Sequence, residues 1–356
     1  LYLKADGSFY EVGEKIPNPD LARTLERIAR GGTAVFYQGD LAEEILADLT
    51  ANGSYITPHD FTGYRVRTGE PVVGTYRGYT ILSNPPPGSG VILIEMLHIL
   101  EHFPLSSYPH NAAPYLDLVA RAMAAAHTDR NRYLGDPEFV EVPVQKLLSP
   151  EHAGKWAEKI RSGYRFHQDT ASPPSCTTHL SVYDEAGNAV ALTHTLGTGS
   201  GVVTPGLGFV YNNSMKLCDP IPGRPNSMAP GKARTTGMCP TIVLRGEEPF
   251  LIAGAPGGSV IISAVLQTIL NVIDFGMSPV EAVSMPRIHC EGGPIHAEAR
   301  LPEAVCRDLQ ALGHTVKQSP YSYDPTMARA QAILVENGSW KGGSDPRGGG
   351  GVAEVW

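Results

Sequence analysis

The chain has no cluster of lysine and arginine, no CxxC or Cys/His spacing, no repeat of fixed period and no apolar stretch long enough to span a bilayer. Each absence removes a class of protein. With 28 Lys+Arg against 36 Asp+Glu and a formal net charge of −8, the surface offers no stripe of cations for a nucleic-acid backbone. The five cysteines, Cys176, Cys218, Cys239, Cys290 and Cys306, are odd in number and lack the spacing of a zinc site. Neither a disulfide framework nor a metal is expected, and no cofactor. The longest apolar stretch, 259–275, contains Gln267, Asn271 and Asp274 and falls short of the roughly 20 residues a membrane helix needs. It reads as a buried helix, and no membrane contact is expected. The missing repeat argues against a solenoid.

What is present is ordinary for a globular protein: 356 residues, 42% hydrophobic and 18% charged, enough for one large or two ordinary domains. The chain opens on Leu1 and reads as mid-domain from its first residues, so its natural beginning is expected upstream. The compartment stays open, with a cytoplasmic setting slightly favoured over a periplasmic or secreted one.

Along 21–52, Leu21, Leu25, Ile28, Leu41, Ile45 and Leu49 recur at helical spacing and predict two short helices, and Thr57 with Asp60 offers an N-cap and early acid for a third. The segment YRGYTILSN alternates like a strand and ends in PPPGSG; residues 91–103 read as an amphipathic helix, as do 115–127. A second region begins near Glu151 with EHAGKWAEKIRSGY and gives way to a polar, proline-containing stretch over 167–174. Beyond it lie short β-prone runs and glycine turns. Residues 179–184 and 189–195 form a hairpin, and another helix starts at SPVEAVSMPR. The seam falls at Cys176/Thr177, dividing a mostly helical 1–176 from 177–356.

Thr177 stands at the start of a strand behind the proline-rich break. A threonine hydroxyl is a weak nucleophile unless a base lies within reach, and one solution is the residue's own α-amine after the preceding bond is cut. That solution requires a Thr, Ser or Cys where Thr177 stands. Downstream, GAPGGSV places Gly257 and Gly258 between a β-prone run and the apolar helix. Backbone N–H groups at such a turn can hold a developing oxyanion. A polar segment, GKARTTGMCPTIV, enters a buried strand nearby in sequence.

In this order, the segments YRGYTILSNPPPGSG, DRNRYLGDPEFV, TTHLSVYDEAGNAVALTHTL, GSGVVTPGLGFVYNN, MCPTIV, GAPGGS, LQTILNVIDFGMSPVEAVSMPRIH and SDPRGG resemble the γ-glutamyltransferase family of N-terminal-nucleophile hydrolases over nearly the whole chain. The resemblance implies an α+β fold, a four-layer αββα sandwich, made as a precursor that cuts itself before the nucleophile into a large and a small subunit. The cut would fall between Cys176 and Thr177. Thr177 would attack an acyl carbon, Gly257 and Gly258 would hold the oxyanion, Thr195 would hydrogen-bond at the new N-terminus, and Cys176 would end the large subunit. The partner so implied is a small-molecule amide; a homo-oligomer is compatible with it.

The substrate positions depart from the family. Where glutamyl-transferring members meet the α-amino group with an acid and an amide, this chain has Ser214 and Leu217; where they meet the α-carboxylate with paired serines, it has Thr236 and Gly237. Gly197 replaces an asparagine after the hairpin. Leu217 cannot pair an ammonium group, and a buried charge without a partner costs on the order of a few kcal/mol. An ordinary γ-glutamyl donor is therefore a poor fit, and an acidic acyl group would need Arg224, Lys232 or Arg234. His179 and His194 read as strand residues without a catalytic part. Three readings remain: an amidohydrolase or acyltransferase for another small acid, a γ-glutamyltransferase with a rearranged pocket, and an unprocessed scaffold.

Overall fold

The computed structural model describes residues 2–166, 176–336 and 338–355, with Cys176 described in its backbone only. The proline-containing approach to the hairpin lies outside the described residues. Two compact units are present, Leu1–Gly69 with Gly199–Asn213 and Glu70–Thr198 with Ser214–Trp356, so the units do not divide at the Cys176–Thr177 bond.

The smaller unit holds α1 (Pro19–Tyr37), α2 (Asp40–Ala51) and α3 (Pro58–Gly63). Asn18 caps α1 through the Leu21 N–H, and Thr57 with Asp60 makes the expected capping box on α3. Leu41, Ile45 and Leu49 are buried together with Leu207, ringed by Phe36, Phe61, Phe209 and Tyr211. The return of 199–213 to this unit has no local signature in sequence. It is held by burial of Leu207, whose carbonyl accepts from Thr24 Oγ1 at 2.9 Å.

The larger unit is built on a sheet. In chain order it contains β1 (Val72–Tyr76), β2 (Tyr79–Ser83), α4 (Gly90–Glu101), α5 (Ala113–Tyr133), α6 (Val144–Leu147), α7 (Pro150–Arg161), β3 (Cys176–Tyr183) and β4 (Ala189–Gly197). There follow β5 (Thr241–Arg245), β6 (Glu248–Gly254), α8 (Val260–Ile273), α9 (Pro279–Ser284), β7 (Ile288–His289) and β8 (Ile295–Ala297). Last come α10 (Glu303–Ala311), β9 (Val316–Gln318), β10 (Gln331–Glu336) and β11 (Ser339–Ser344). Six strands pair antiparallel in the order β1-β2-β5-β6-β10-β11, while β3 and β4 form a separate ribbon.

Two expectations are corrected here. YRGYTILSN is part of a hairpin rather than one strand: Arg77 and Gly78 both have positive φ (50° and 85°), which reverses the chain between Tyr76 and Tyr79. Helix α4 is not amphipathic. It packs against α5, α7, α8 and β1, and among its residues from Gly90 to Leu100 only His98 is not buried.

Strand β6 shows how the layers are set. Leu251 and Ala253 join the main core with α4, α5 and α8, and by strand alternation Ile252 and Gly254 face the other way, beneath the β3–β4 ribbon. A β-carbon at Gly254 would lie 2.2 Å from the His179 ring, so the absent side chain lets the ribbon settle on the sheet. Helices, six-stranded sheet and ribbon thus stack in an α+β arrangement. The ribbon's far face is apolar and open, with Leu180, Val182, Val190, Leu192 and Leu196 exposed.

The SDPRGG segment anchors two buried charges. Arg347 pairs with Glu298 through Nε and Nη2 at 2.6 and 2.5 Å, and Asp345 takes both Arg347 at 2.9 Å and Arg287 at 2.6 Å. This network ties the end of β11 to β8 and to the segment before β7.

A second buried polar group joins α4, α5 and α7. Asp129 accepts from His152 Nε2 at 2.8 Å and from Trp156 Nε1 at 2.7 Å, with Glu95 at 3.3 Å from the same His152 nitrogen. Asp129, and after it Glu95, hold the imidazolium proton and push the His152 pKa up to about 9. A folded pKa above the unfolded value near 6.5 gives stability that is complete below it and is lost as pH rises through about 9. Urea unfolding is expected to show falling stability between roughly pH 6.5 and 9, and His152→Gln is expected to flatten that slope.

Candidate active site

The site begins with strand register. Thr177 stands opposite Thr195, and the pairing shifts between Cys176 and Thr177, so an irregularity in the ladder sits at the bond expected to be cut. Thr177 Oγ1 donates to Thr195 Oγ1 at 2.8 Å, and Thr195 Oγ1 also accepts from the Gly197 N–H at 2.9 Å. The Thr195 oxygen therefore receives both, which orients the Thr177 hydroxyl. His179 is buried on the same face, its nitrogens taken by Thr193 Oγ1 at 2.7 Å and Ser181 Oγ at 3.0 Å, and burial lowers its pKa to about 4. It is a satisfied neutral core residue, as its strand position predicts; His194 faces outward and is exposed.

A cavity of about 400 Å3 opens at this point. Thr177, Thr195, Gly258, Leu217, Arg234, Thr236 and Gly237, widely spaced in the chain, all line it. Gly257, Gly197 and Ser214 do not. Gly257 and Gly258 make the turn from β6 into α8 with φ of 144° and 76°, and a β-carbon on Gly257 would lie within 2.8 Å of Ala328. Gly197 has φ of 69°, with room for a β-carbon limited by Ser214 Oγ at 3.0 Å. It reaches the site through its N–H, and Ser214 stands behind it.

Gly237 has a steric reason. A β-carbon there would lie 2.1 Å from the carbonyl oxygen of Gly258, so the glycine turn packs directly against it. Thr236 is fixed beside it: its carbonyl accepts from Ser89 Oγ at 2.5 Å, and its hydroxyl accepts from the Met238 N–H at 3.2 Å. Arg234 lies in the wall with Nη1 donating to the Thr235 carbonyl at 2.8 Å, and Asn226 braces the same loop through Thr235 N–H and the Leu217 carbonyl. Burial lowers the Arg234 pKa. Leu217 presents an alkyl side chain, with no group to pair an ammonium.

The cavity also contains residues to which the sequence assigned no part: Arg130, Asn131, Asn226, Ser259 and Glu291. Arg130 and Asn131 fall within DRNRYLGD, the one available signal. Glu291 follows β7 and has no neighbour in sequence to mark it. Arg130, Lys216, Arg224 and Arg234 against Asp219 and Glu291 leave the lining with more cations than acids. A larger groove of about 990 Å3 runs along β3 from Thr177 and is lined on its far side by Arg329, Gln331 and residues 348–355. Thr177 stands where the two meet, but Thr195 and Gly258 belong to the smaller cavity.

This stack of helices, sheet and ribbon is the fold of the N-terminal-nucleophile hydrolases. The structure is similar to cephalosporin acylase from Bacillus halodurans, with a TM-score of 0.88 at 29% identity over 96% of this chain and 63% of that one. The chain is 36% identical to the glutathione hydrolase proenzyme of Escherichia coli K12 over 96% of its own length and 62% of the relative's. It is 37% identical to the acylase ACY 1 proenzyme of Pseudomonas sp. SE83 over 88% and 57%. A family profile described as Gamma-glutamyltranspeptidase matches residues 1–355, and the chain belongs to that family. It spans about three-fifths of the length of these curated relatives. No described helix is long and apolar enough to cross a membrane.

The contact of Gly237 with the glycine turn leads to a test. Gly237→Ser, which restores the family's serine chemistry, is expected to displace Gly258 and lower kcat at least about 10-fold, the scale of one weakened oxyanion contact. Steady-state kinetics would show it, with circular dichroism confirming an intact fold.

Proposed function

We propose that the chain is part of an autoprocessed amidohydrolase or acyltransferase with Thr177 as its nucleophile. The observation that carries this is the Thr177 hydroxyl held by Thr195 in a cavity shared with the Gly258 turn. In the first reaction Thr177 Oγ attacks the Cys176 carbonyl carbon, the hydroxyl proton passes to the departing amide nitrogen, and an ester joins Oγ to Cys176. Water then hydrolyses the ester, leaving a Cys176 carboxylate and a free Thr177 amine and hydroxyl. That amine serves as base for the second reaction, in which Oγ attacks a substrate amide and the Gly257 and Gly258 N–H groups stabilise the oxyanion. Water or an acceptor amine then releases the acyl group. The relatives named as proenzymes support a large and a small subunit from one precursor; the division before Thr177 is part of this proposal.

The acyl group is that of a small acid bearing a carboxylate and no paired ammonium. Supporting this are the cationic lining, with Arg234 and Arg130 in the wall, and Leu217 where an ammonium would need an acid. A carboxylate within reach of a partly desolvated guanidinium gains a strong, charge-assisted hydrogen bond.

Incubation of the purified chain is expected to yield a small fragment beginning TTHL, and Thr177→Ala none; a fragment beginning CTTHL would overturn the assignment of the nucleophile. Among chromogenic anilides, one of a dicarboxylic acid without an α-amine is expected to outperform the γ-glutamyl compound. Arg234→Leu is expected to cost the former about 10- to 100-fold in kcat/KM, mainly through KM, on the scale of one charged hydrogen bond.

A further inference from the structure

Behind the wall of the cavity lies a cluster that the proposed chemistry does not use. His127 of α5 has no exposed surface, and neither ring nitrogen has a hydrogen-bond partner among the described residues. Buried polar groups are paired in nearly all cases, and a ring with two open nitrogens points to a missing occupant. Facing it are His289 of β7, its ring 5.8 Å from that of His127 and at 88° to it, and Glu291. One donor atom from each of the three lies within 4.8 Å of the others.

We infer that His127, His289 and Glu291 form a binding site for a divalent cation of the zinc class, next to the nucleophile's cavity. Two imidazoles and one carboxylate are the ligand types zinc takes in open three-ligand sites. The supporting contacts fit. Ser263 Oγ is 2.8 Å from His289 Nδ1, which leaves Nε2 to face the site, and Nε2 is 3.2 Å from Glu291 Oε1. Donor atoms around a tetrahedral zinc are roughly 3.3–3.5 Å apart, so His289 and Glu291 already have that spacing. Glu291 also lines the cavity that holds Thr177 and Gly258, so the cluster adjoins that cavity. Ser259 Oγ, at the start of α8, donates to the same Glu291 oxygen, linking the cluster to the turn that carries Gly258.

Two features bear on affinity. The buried Arg130 guanidinium interacts with both Glu291 and His127 and opposes a second cation, so binding is weaker than three ligands alone would give. A second cluster, Glu95, Asp129 and His152, has a similar composition, but there His152 and Trp156 both bind Asp129, and His152 keeps its proton. It serves as the internal control.

The test uses the purified chain, treated with chelator and dialysed, then titrated with zinc chloride and separately with cobalt chloride. About one equivalent of zinc is expected to remain after gel filtration, with visible d–d absorption for the cobalt form. His127→Ala and His289→Ala are each expected to lower zinc affinity at least about 10-fold, the scale reported for losing metal-site partners, and to abolish the cobalt spectrum, whereas His152→Ala retains both. Circular dichroism checks the fold of every variant, and His289→Asn, which keeps a polar side chain, replaces any that fails. Absence of stoichiometric zinc in the wild-type chain, or zinc unaffected by the His127 and His289 substitutions, would overturn the site.

Discussion

Everything at the site depends on one hydrogen bond between two hydroxyls, Thr177 Oγ1 to Thr195 Oγ1 at 2.8 Å. It exists because the register of β3 on β4 sets the two threonines opposite each other on the inner face of the ribbon. One residue of slip would turn both to the open face, where Leu180 and Leu192 now stand. The ribbon is seated by its contact with the sheet: His179, saturated by Thr193 and Ser181, rests over Gly254, which has no side chain to hold it off. The next residues of that strand lead through Gly257 and Gly258 into α8. One strand therefore seats the ribbon that carries Thr177 and delivers the glycine turn to the same cavity.

The substrate side follows a different logic. At Gly197 and Gly237 the backbone itself fills the space, against Ser214 and against the Gly258 carbonyl. Leu217, Arg234 and Thr236 complete the wall of the cavity together with Arg130 on α5. The hydroxyl pair lies on the ribbon and the glycine turn follows β6, whereas Leu217, Arg234 and Thr236 lie outside the strands and α-helices, where residues can change without moving the sheet.

Much of this was legible without coordinates. Helical periodicity located α1, α2 and α5, and the apolar stretch 259–275 located α8; Thr57 with Asp60 marked α3, SPVEAVSMPR marked α9, and the turn at 184–188 marked the ribbon. Thr177, Thr195 and the glycine pair could be named because motif order carries them. Other features had no local trace. The all-round burial of α4 depends on what packs against it, and the return of 199–213 depends on Leu207 finding a core some 160 residues upstream. His127, His289 and Glu291 meet only because α5 and β7 are packed together.

The sequence by itself determined the local chemistry: which residue types stand at a strand start, which glycines can adopt positive φ, and which apolar spacing makes a helix. These depend on neighbours a few positions away, and pattern reports them. Tertiary structure alone decided what surrounds Thr177, because the walls of a cavity are contributed by elements distant in sequence. The burial of Arg130, the steric demand at Gly237 and the unpaired nitrogens of His127 are properties of packing, and no stretch of chain carries them alone.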